Sequence, residues 1–321
     1  MLINKTRTFI LLGMLSVFIQ LACQAEIPLK PGKYYAEVSG GKIWYNVIGE
    51  SNSPPILLLH GGPGGTCYSL YPLTELSDMY QLIFFDQIGS GRSSAINDTA
   101  RMTMDYQVEQ LHEFINVLGL EKYILYGHSW GTMLGLETYL KYPEGIVALI
   151  FNSPLISTAM WMHDADTLVS TLPDSIQSII KLNEANKTYD SPDYQYAIYI
   201  YYKNFISRGA HIRTKFDVRR APGNEKMYNY MWGPSEFNAT GTLKNYDRLD
   251  RLSDIKIPSL WLAGEFDEAR PSTVRYYHLH TPNSHFKIIP GAGHGTMHDN
   301  QEDNVRFIRE FLEDCAQKQT M

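Results

Sequence analysis

Residues 126–135 read YGHSWGTMLG. They end the short apolar run YILYG (123–127) and lead into an apolar pattern of helical spacing. Gly127, Ser129 and Gly131 therefore fall where a buried strand turns sharply into a helix. The spacing has a chemical reason. Small residues on both sides allow a turn tight enough to lift the Ser129 hydroxyl over a sheet edge, with the positive end of the following helix behind it. A lone G-x-S-x-G is a weak pattern, and the strand before it and the helix after it make it specific.

Working outward, runs of the same kind recur: KIWYNVIG (42–49), ILLLH (56–60), LIFFD (82–86), ALIFN (148–152), SLWLAG (259–264) and FKIIP (286–290). Continuous apolar runs bounded by Gly, Asp or Pro read as strands buried on both faces, as a parallel sheet requires. Between two of them Val108, Leu111, Ile115 and Leu118 repeat at helical spacing behind Thr103, a candidate N-cap. The alternation predicts a doubly wound α/β sheet. It breaks after Phe151 and resumes near Ile257, so residues 153–255 are expected to form a helical lid inserted after the sixth strand, between core segments 26–152 and 256–321. The lid holds a tyrosine cluster at 189, 194, 196, 199, 201 and 202 that reads as packing, and the stretch MWGPSEF (231–237).

The chain of 321 residues can bury one large core, and its net charge of −6, with no basic run in its body, argues against nucleic acid as a partner. Lys5 and Arg7 precede an apolar run over 9–21 and the small residues Ala22, Cys23 and Ala25. This is the layout of a signal peptide over 1–25, which predicts an exported protein, either periplasmic or anchored as a lipoprotein. QLAC resembles a lipoprotein cleavage site that would place a lipid on Cys23, the sole membrane attachment expected; cleavage after Ala25 is the rival. Cys67 and Cys315 lie far apart without metal-ligand spacing, and whether they pair is left open.

A serine hydroxyl needs a base, and the base an orienting acid. On a sheet of this kind the chain order is Ser, then Asp or Glu, then His. Asp267, just past WLAG, and His294, just past IIPGAG, fit that order, with Glu265, His285 and His298 as competitors. Upstream, HGGPGG (60–65) closes a strand, and Gly62 with Trp130, the residue after the serine, would supply two backbone N–H donors to an oxyanion. The absent GK[ST] sets aside a phosphate loop. The absent HExxH and metal-ligand spacing predict no metal, and no cofactor is expected.

HGGPGG, FFDQIGSGRSS (84–94), GHSWGTMLGLETYLKYP (127–143), MWGPSEF, AGEFDEARP (263–271) and GAGH (291–294) together resemble the prolyl aminopeptidases, or proline iminopeptidases, from about Gly41 to Phe311. The resemblance implies the α/β-hydrolase fold and serine aminopeptidase activity on short peptides with a free N-terminus. It also implies that the Glu of GPSEF and the Glu after the catalytic Asp, here Glu236 and Glu268, bind the substrate's α-amino group. A desolvated ammonium needs such partners, and acylated N-termini leave the anions unmatched. Trp232 and Phe237 would then wall a small S1 pocket, and Asp86 would hold loops at the active edge without joining the triad. Two other functions fit the same chain: hydrolysis of a small ester, lactone or amino-acid amide, and a catalytically silent binding module.

Overall fold

A computed structural model describes residues 29–209 and 221–319; the expected leader over 1–25, Cys23 included, lies outside the described residues. Eight strands form one sheet in the order β1-β2-β4-β3-β5-β6-β7-β8. In chain order they are β1 (Gly32–Val38), β2 (Gly41–Ile48), β3 (Ile56–Leu59), β4 (Leu82–Phe85), β5 (Tyr123–His128), β6 (Ile146–Asn152), β7 (Ser259–Gly264) and β8 (Ser284–Ile289). The strands from β4 to β8 run parallel, and β1 and β2 are antiparallel. β1 is absent from the run of buried strands read in the sequence. At the sheet edge it alternates between exposed and covered residues and carries no continuous apolar stretch.

Strand periodicity of two divides the core. Leu57, Leu59, Phe85, Leu125, Leu149 and Trp261 face one layer with helices α1 (Met104–Val117) and α2 (Trp130–Lys141), whereas Leu58, Phe84, Tyr126, Ile150 and Leu262 face the other with the C-terminal helix. Thr103 caps α1 by accepting the Tyr106 N–H at 3.2 Å, and Val108, Leu111, Ile115 and Leu118 are buried. Each fully buried Leu or Phe contributes about 1.5–3 kcal/mol of burial free energy, so the two layers fix the sheet and with it the loops at its edge.

After β6 the chain leaves the sheet for α3 (Thr158–Val169), α4 (Asp174–Asn186), α5 (Pro192–Phe205) and α6 (Glu225–Met231), and returns at β7. The lid has its own core of Ala165, Leu172, Ile176, Ile180, Tyr194, Ala197, Tyr201 and Phe205. Of the tyrosine cluster, Tyr194 and Tyr201 are fully buried and Tyr196 and Tyr199 are exposed. Two more helices follow β7 and β8, α7 (Pro271–Leu279) and the four-residue α8 (Thr296–Asp299), before α9 (Gln301–Gln319) closes the chain. Among the described residues no helix is long and apolar enough to cross a membrane. Cys67 and Cys315 are buried, and among the described residues neither forms a disulfide.

Candidate active site

The parallel register sets Leu59 beside Gly127, His128 beside Asn152 and Gly264 beside Ile289. The carboxyl ends of β3, β5, β7 and β8 consequently share one edge, and the loops carrying Gly62, Ser129, Asp267 and His294 leave from it. Ser129 sits between β5 and α2 at φ 54°, ψ −125°, a conformation that costs a non-glycine residue about 1–3 kcal/mol. Its surroundings hold it there: its N–H donates to Asn152 O at 3.1 Å, and its carbonyl accepts from Thr132 N at 2.8 Å and Thr132 Oγ1 at 2.6 Å. The glycines are needed for close approach. A Cβ on Gly127 would stand 2.5 Å from Gly131 O, and one on Gly131 would strike Leu59 O of the neighbouring strand.

The loop after β3 is tied to this turn by Gln87, to which the sequence reading assigned no role. Its backbone N–H donates to His60 Nε2 at 3.0 Å, its Nε2 donates to His60 O at 2.9 Å, and its Oε1 accepts the Trp130 indole N–H at 2.8 Å. Because His60 Nε2 accepts, its Nδ1 carries the proton, donated to Gly61 O at 2.8 Å. Gly62 and Trp130 thereby line one small cavity with Ser129, Pro63, Trp232 and Glu236. Asp86 accepts Cys67 N at 3.0 Å and Arg92 N at 2.9 Å, holding two loops from beneath.

Asp267, 1% exposed, accepts from Gly264 N at 3.1 Å, Ala269 N at 2.8 Å and His294 Nδ1 at 2.9 Å. His128 and Ser153 fix the His294 carbonyl, each at 3.0 Å. The competitors are engaged elsewhere. His285 pairs with Asp314 at the surface, His298 Nε2 bonds Ser69 O, and Glu265 accepts Gly291 N.

Glu268 and Glu236 approach the same histidine from the loop after β7 and from the lid. Glu268 Oε1 lies 3.7 Å from His294 Nε2, and among the described residues neither Glu268 oxygen has a hydrogen-bond partner. Glu236 retains some exposure, lines the Ser129 cavity and accepts the Tyr228 hydroxyl at 2.8 Å. Burial pushes the Glu268 carboxyl well above the usual glutamate range, with Glu236 and Asp267 adding to it. Burial also raises Glu236, against opposing pulls from His294 and the Tyr228 hydrogen bond. Tyr201, Tyr202 and Tyr228 are pushed well up, first by burial and then by these carboxylates. Tyr201 Oη interacts with Glu268 but closes no hydrogen bond of good geometry. Burial, with mutual repulsion at Glu268, thus biases the Glu268 and Glu236 carboxyls toward the neutral form.

Two tryptophans set the lid over Ser129. Trp232 Nε1 donates to Ser235 O and Trp161 Nε1 to Glu236 O, each at 3.0 Å, and the Trp161 ring stands 5.6 Å from the His294 ring, edge to face. Trp161 lay outside the sequence reading, since an aromatic on a lid helix carries no signal of its direction. Of the two residues expected to wall S1, Trp232 lines the cavity that holds Ser129 and Phe237 does not. The Phe237 ring packs at 4.8 Å from Tyr201 and 6.0 Å from Tyr194 in the lid core. Glu236 and Phe237 are the two central residues of a turn closed by Asn238 N donating to Ser235 O at 3.2 Å, and of the two only Glu236 lines the cavity. Among the described residues no group of three His, Cys, Asp or Glu could hold a metal ion.

The alpha/beta hydrolase fold family matches residues 54–301. The chain is 36% identical over 281 residues to a proline iminopeptidase of Heyndrickxia coagulans, covering 87% of this chain and 97% of that protein. A proline iminopeptidase of Saccharolobus solfataricus is 30% identical over 286 residues, covering 87% and 91%. The crystal structure of a proline iminopeptidase from Mycobacterium smegmatis superposes with a TM-score of 0.77 at 28% identity, covering 88% of this chain and 98% of that one. With the strand-to-helix turn, the inserted lid and nearly full-length similarity all in agreement, the chain belongs to the proline iminopeptidase family of the alpha/beta hydrolase fold.

Proposed function

We propose that the protein is a serine aminopeptidase that releases an N-terminal residue, proline, from short peptides. His294 takes the Ser129 proton at Nε2 while Asp267 holds the ring through Nδ1, and Ser129 Oγ attacks the first peptide carbonyl. The N–H groups of Gly62 and Trp130 receive the oxyanion, each such donor being worth on the order of 3 kcal/mol in the transition state. His294 returns the proton to the departing amine, and water releases the acyl group by the same route. Glu236 and Glu268 hold the substrate's ammonium and so measure one residue from the chain end to Ser129.

The observation that carries this reading is the Glu268 carboxylate, 1% exposed and without a hydrogen-bond partner among the described residues, beside Glu236 and His294. An anion so placed is costly unless a cation joins it. The test is turnover of L-prolyl 4-nitroanilide by wild type and Ser129→Ala, with fluorophosphonate labelling alongside. Turnover lost with Ser129 agrees with the proposal. Labelling without prolyl turnover, but with hydrolysis of simple esters, would leave an esterase of the same fold. Export through a leader over 1–25, with or without a lipid on Cys23, is part of the proposal on its sequence pattern alone, and fractionation of expressing cells tests it.

A further inference from the structure

We propose that Asp299 is a positioning residue whose carboxylate clamps the loop carrying His294 to the end of lid helix α5, so that the base is aligned only while the lid is seated. The proposal rests on His294 being the base. Asp299 ends α8, five residues after that histidine. Its Oδ1 accepts Gly209 N at 2.7 Å and Arg208 N at 3.0 Å, and its Oδ2 accepts Arg208 N at 3.0 Å and Gly293 N at 2.9 Å. One carboxylate thus gathers backbone N–H groups from the lid and from the residue just before His294.

The two backbones also bond directly. His294 N donates to Phe205 O at 2.8 Å and Gly295 N to Ile206 O at 2.7 Å, and a Cβ on Gly293 would stand 2.7 Å from Phe205 O. These are carbonyls at the C-terminal end of α5, where a helix has no partners of its own to offer them. From the same end, the Arg208 guanidinium lies 3.8 Å over the ring of Phe266, the residue before Asp267. One turn back, Tyr201 interacts with Glu268. The end of α5 therefore touches the loops of both the base and its orienting acid, and Asp299 supplies the charge-assisted contacts of that junction. Alanine would leave its N–H groups without an acceptor, and asparagine would turn an NH2 toward one of them.

The test compares Asp299→Ala and Asp299→Asn with wild type by the second-order rate of Ser129 labelling with a fluorophosphonate, which needs the base but no substrate amine. The labelling rate is expected to fall about tenfold or more, because small displacements of a base are expensive. KM for L-prolyl anilide should change little, and formate should restore part of the rate in Asp299→Ala. Unchanged labelling in folded variants, or a loss confined to KM, would overturn the proposal. If neither variant folds, hydrogen exchange on the wild type decides. Phosphonylation of Ser129 should protect the amides of 206–209 together with those of 293–295, and protection of the second set alone would refute the coupling. A His294→Ala variant that labels normally would mean that the assignment of the base has failed, which is a separate result.

Discussion

Replacing Glu268 by Gln should make the free enzyme more stable and the working enzyme worse. In the free protein this carboxyl is buried, lacks a hydrogen-bond partner among the described residues, and is raised well above the ordinary glutamate value by burial, then by Glu236 and Asp267. Because the folded value exceeds the unfolded one, the folded state holds the proton more tightly. The carboxyl's contribution is thus fully present below the unfolded value and is lost as pH rises through the folded one. Glutamine escapes that loss. The variant should match wild type near pH 4 and be the more stable, with the higher Tm, above neutrality. The substrate's ammonium meanwhile loses a charged partner worth about 1.5–3 kcal/mol, so kcat/KM for L-prolyl anilide should fall by about 10- to 150-fold. Thermal melts across pH and steady-state kinetics read both effects. A variant less stable than wild type at alkaline pH would refute the reasoning, since it would make Glu268 a satisfied structural anion.

Tyr228→Phe removes the hydrogen bond that pulls the Glu236 carboxyl down; the acid limb of kcat/KM for a free-amine substrate should move to higher pH, and an unmoved limb would count against Glu236 as an ionised anchor. Gln87→Leu strips partners from the Trp130 indole and the His60 carbonyl, at about 1–3 kcal/mol for each orphaned group; denaturant melts should register that loss, with kcat falling more than KM rises. Phe237→Ala should cost about 3–5 kcal/mol by opening the lid core and leave the relative rates on prolyl, alanyl and leucyl anilides unchanged, whereas altered selectivity would return Phe237 to the pocket. Gly131→Ala drives a Cβ into Leu59 O and should abolish soluble expression or lower Tm far more than a surface Gly→Ala change does.

The buried strands were readable because each is a continuous apolar run ending in a residue that cannot continue it, and Ser129, Asp267 and His294 follow from which runs they terminate. β1 was not, because an edge strand half in water alternates too weakly to stand out. The lid was legible as an insertion of known length, but its internal geometry was not. Glu236 and Phe237 are neighbours, and which faces Ser129 depends on how Trp161 and Trp232 bond the carbonyls of that loop. The tyrosine cluster read correctly as packing for Tyr194, while the proximity of Tyr201 to Glu268 depends on a loop more than sixty residues away in sequence. No local pattern marks Asp299 or Gln87, for the same reason: Asp299 gathers backbone N–H groups of separate loops, and Gln87 joins the His60 carbonyl to the Trp130 indole.

The claim on which the account depends is that a pair of lid-side and sheet-side carboxylates reads the free amine. It is tested most directly by the ratio of kcat/KM for L-prolyl anilide to that for its N-acetyl form, in wild type and in the Glu236→Gln/Glu268→Gln double variant. The account predicts a large ratio in wild type that collapses toward unity in the double variant, with Ser129 still labelled by a fluorophosphonate. A ratio that survives the loss of both carboxylates would contradict it.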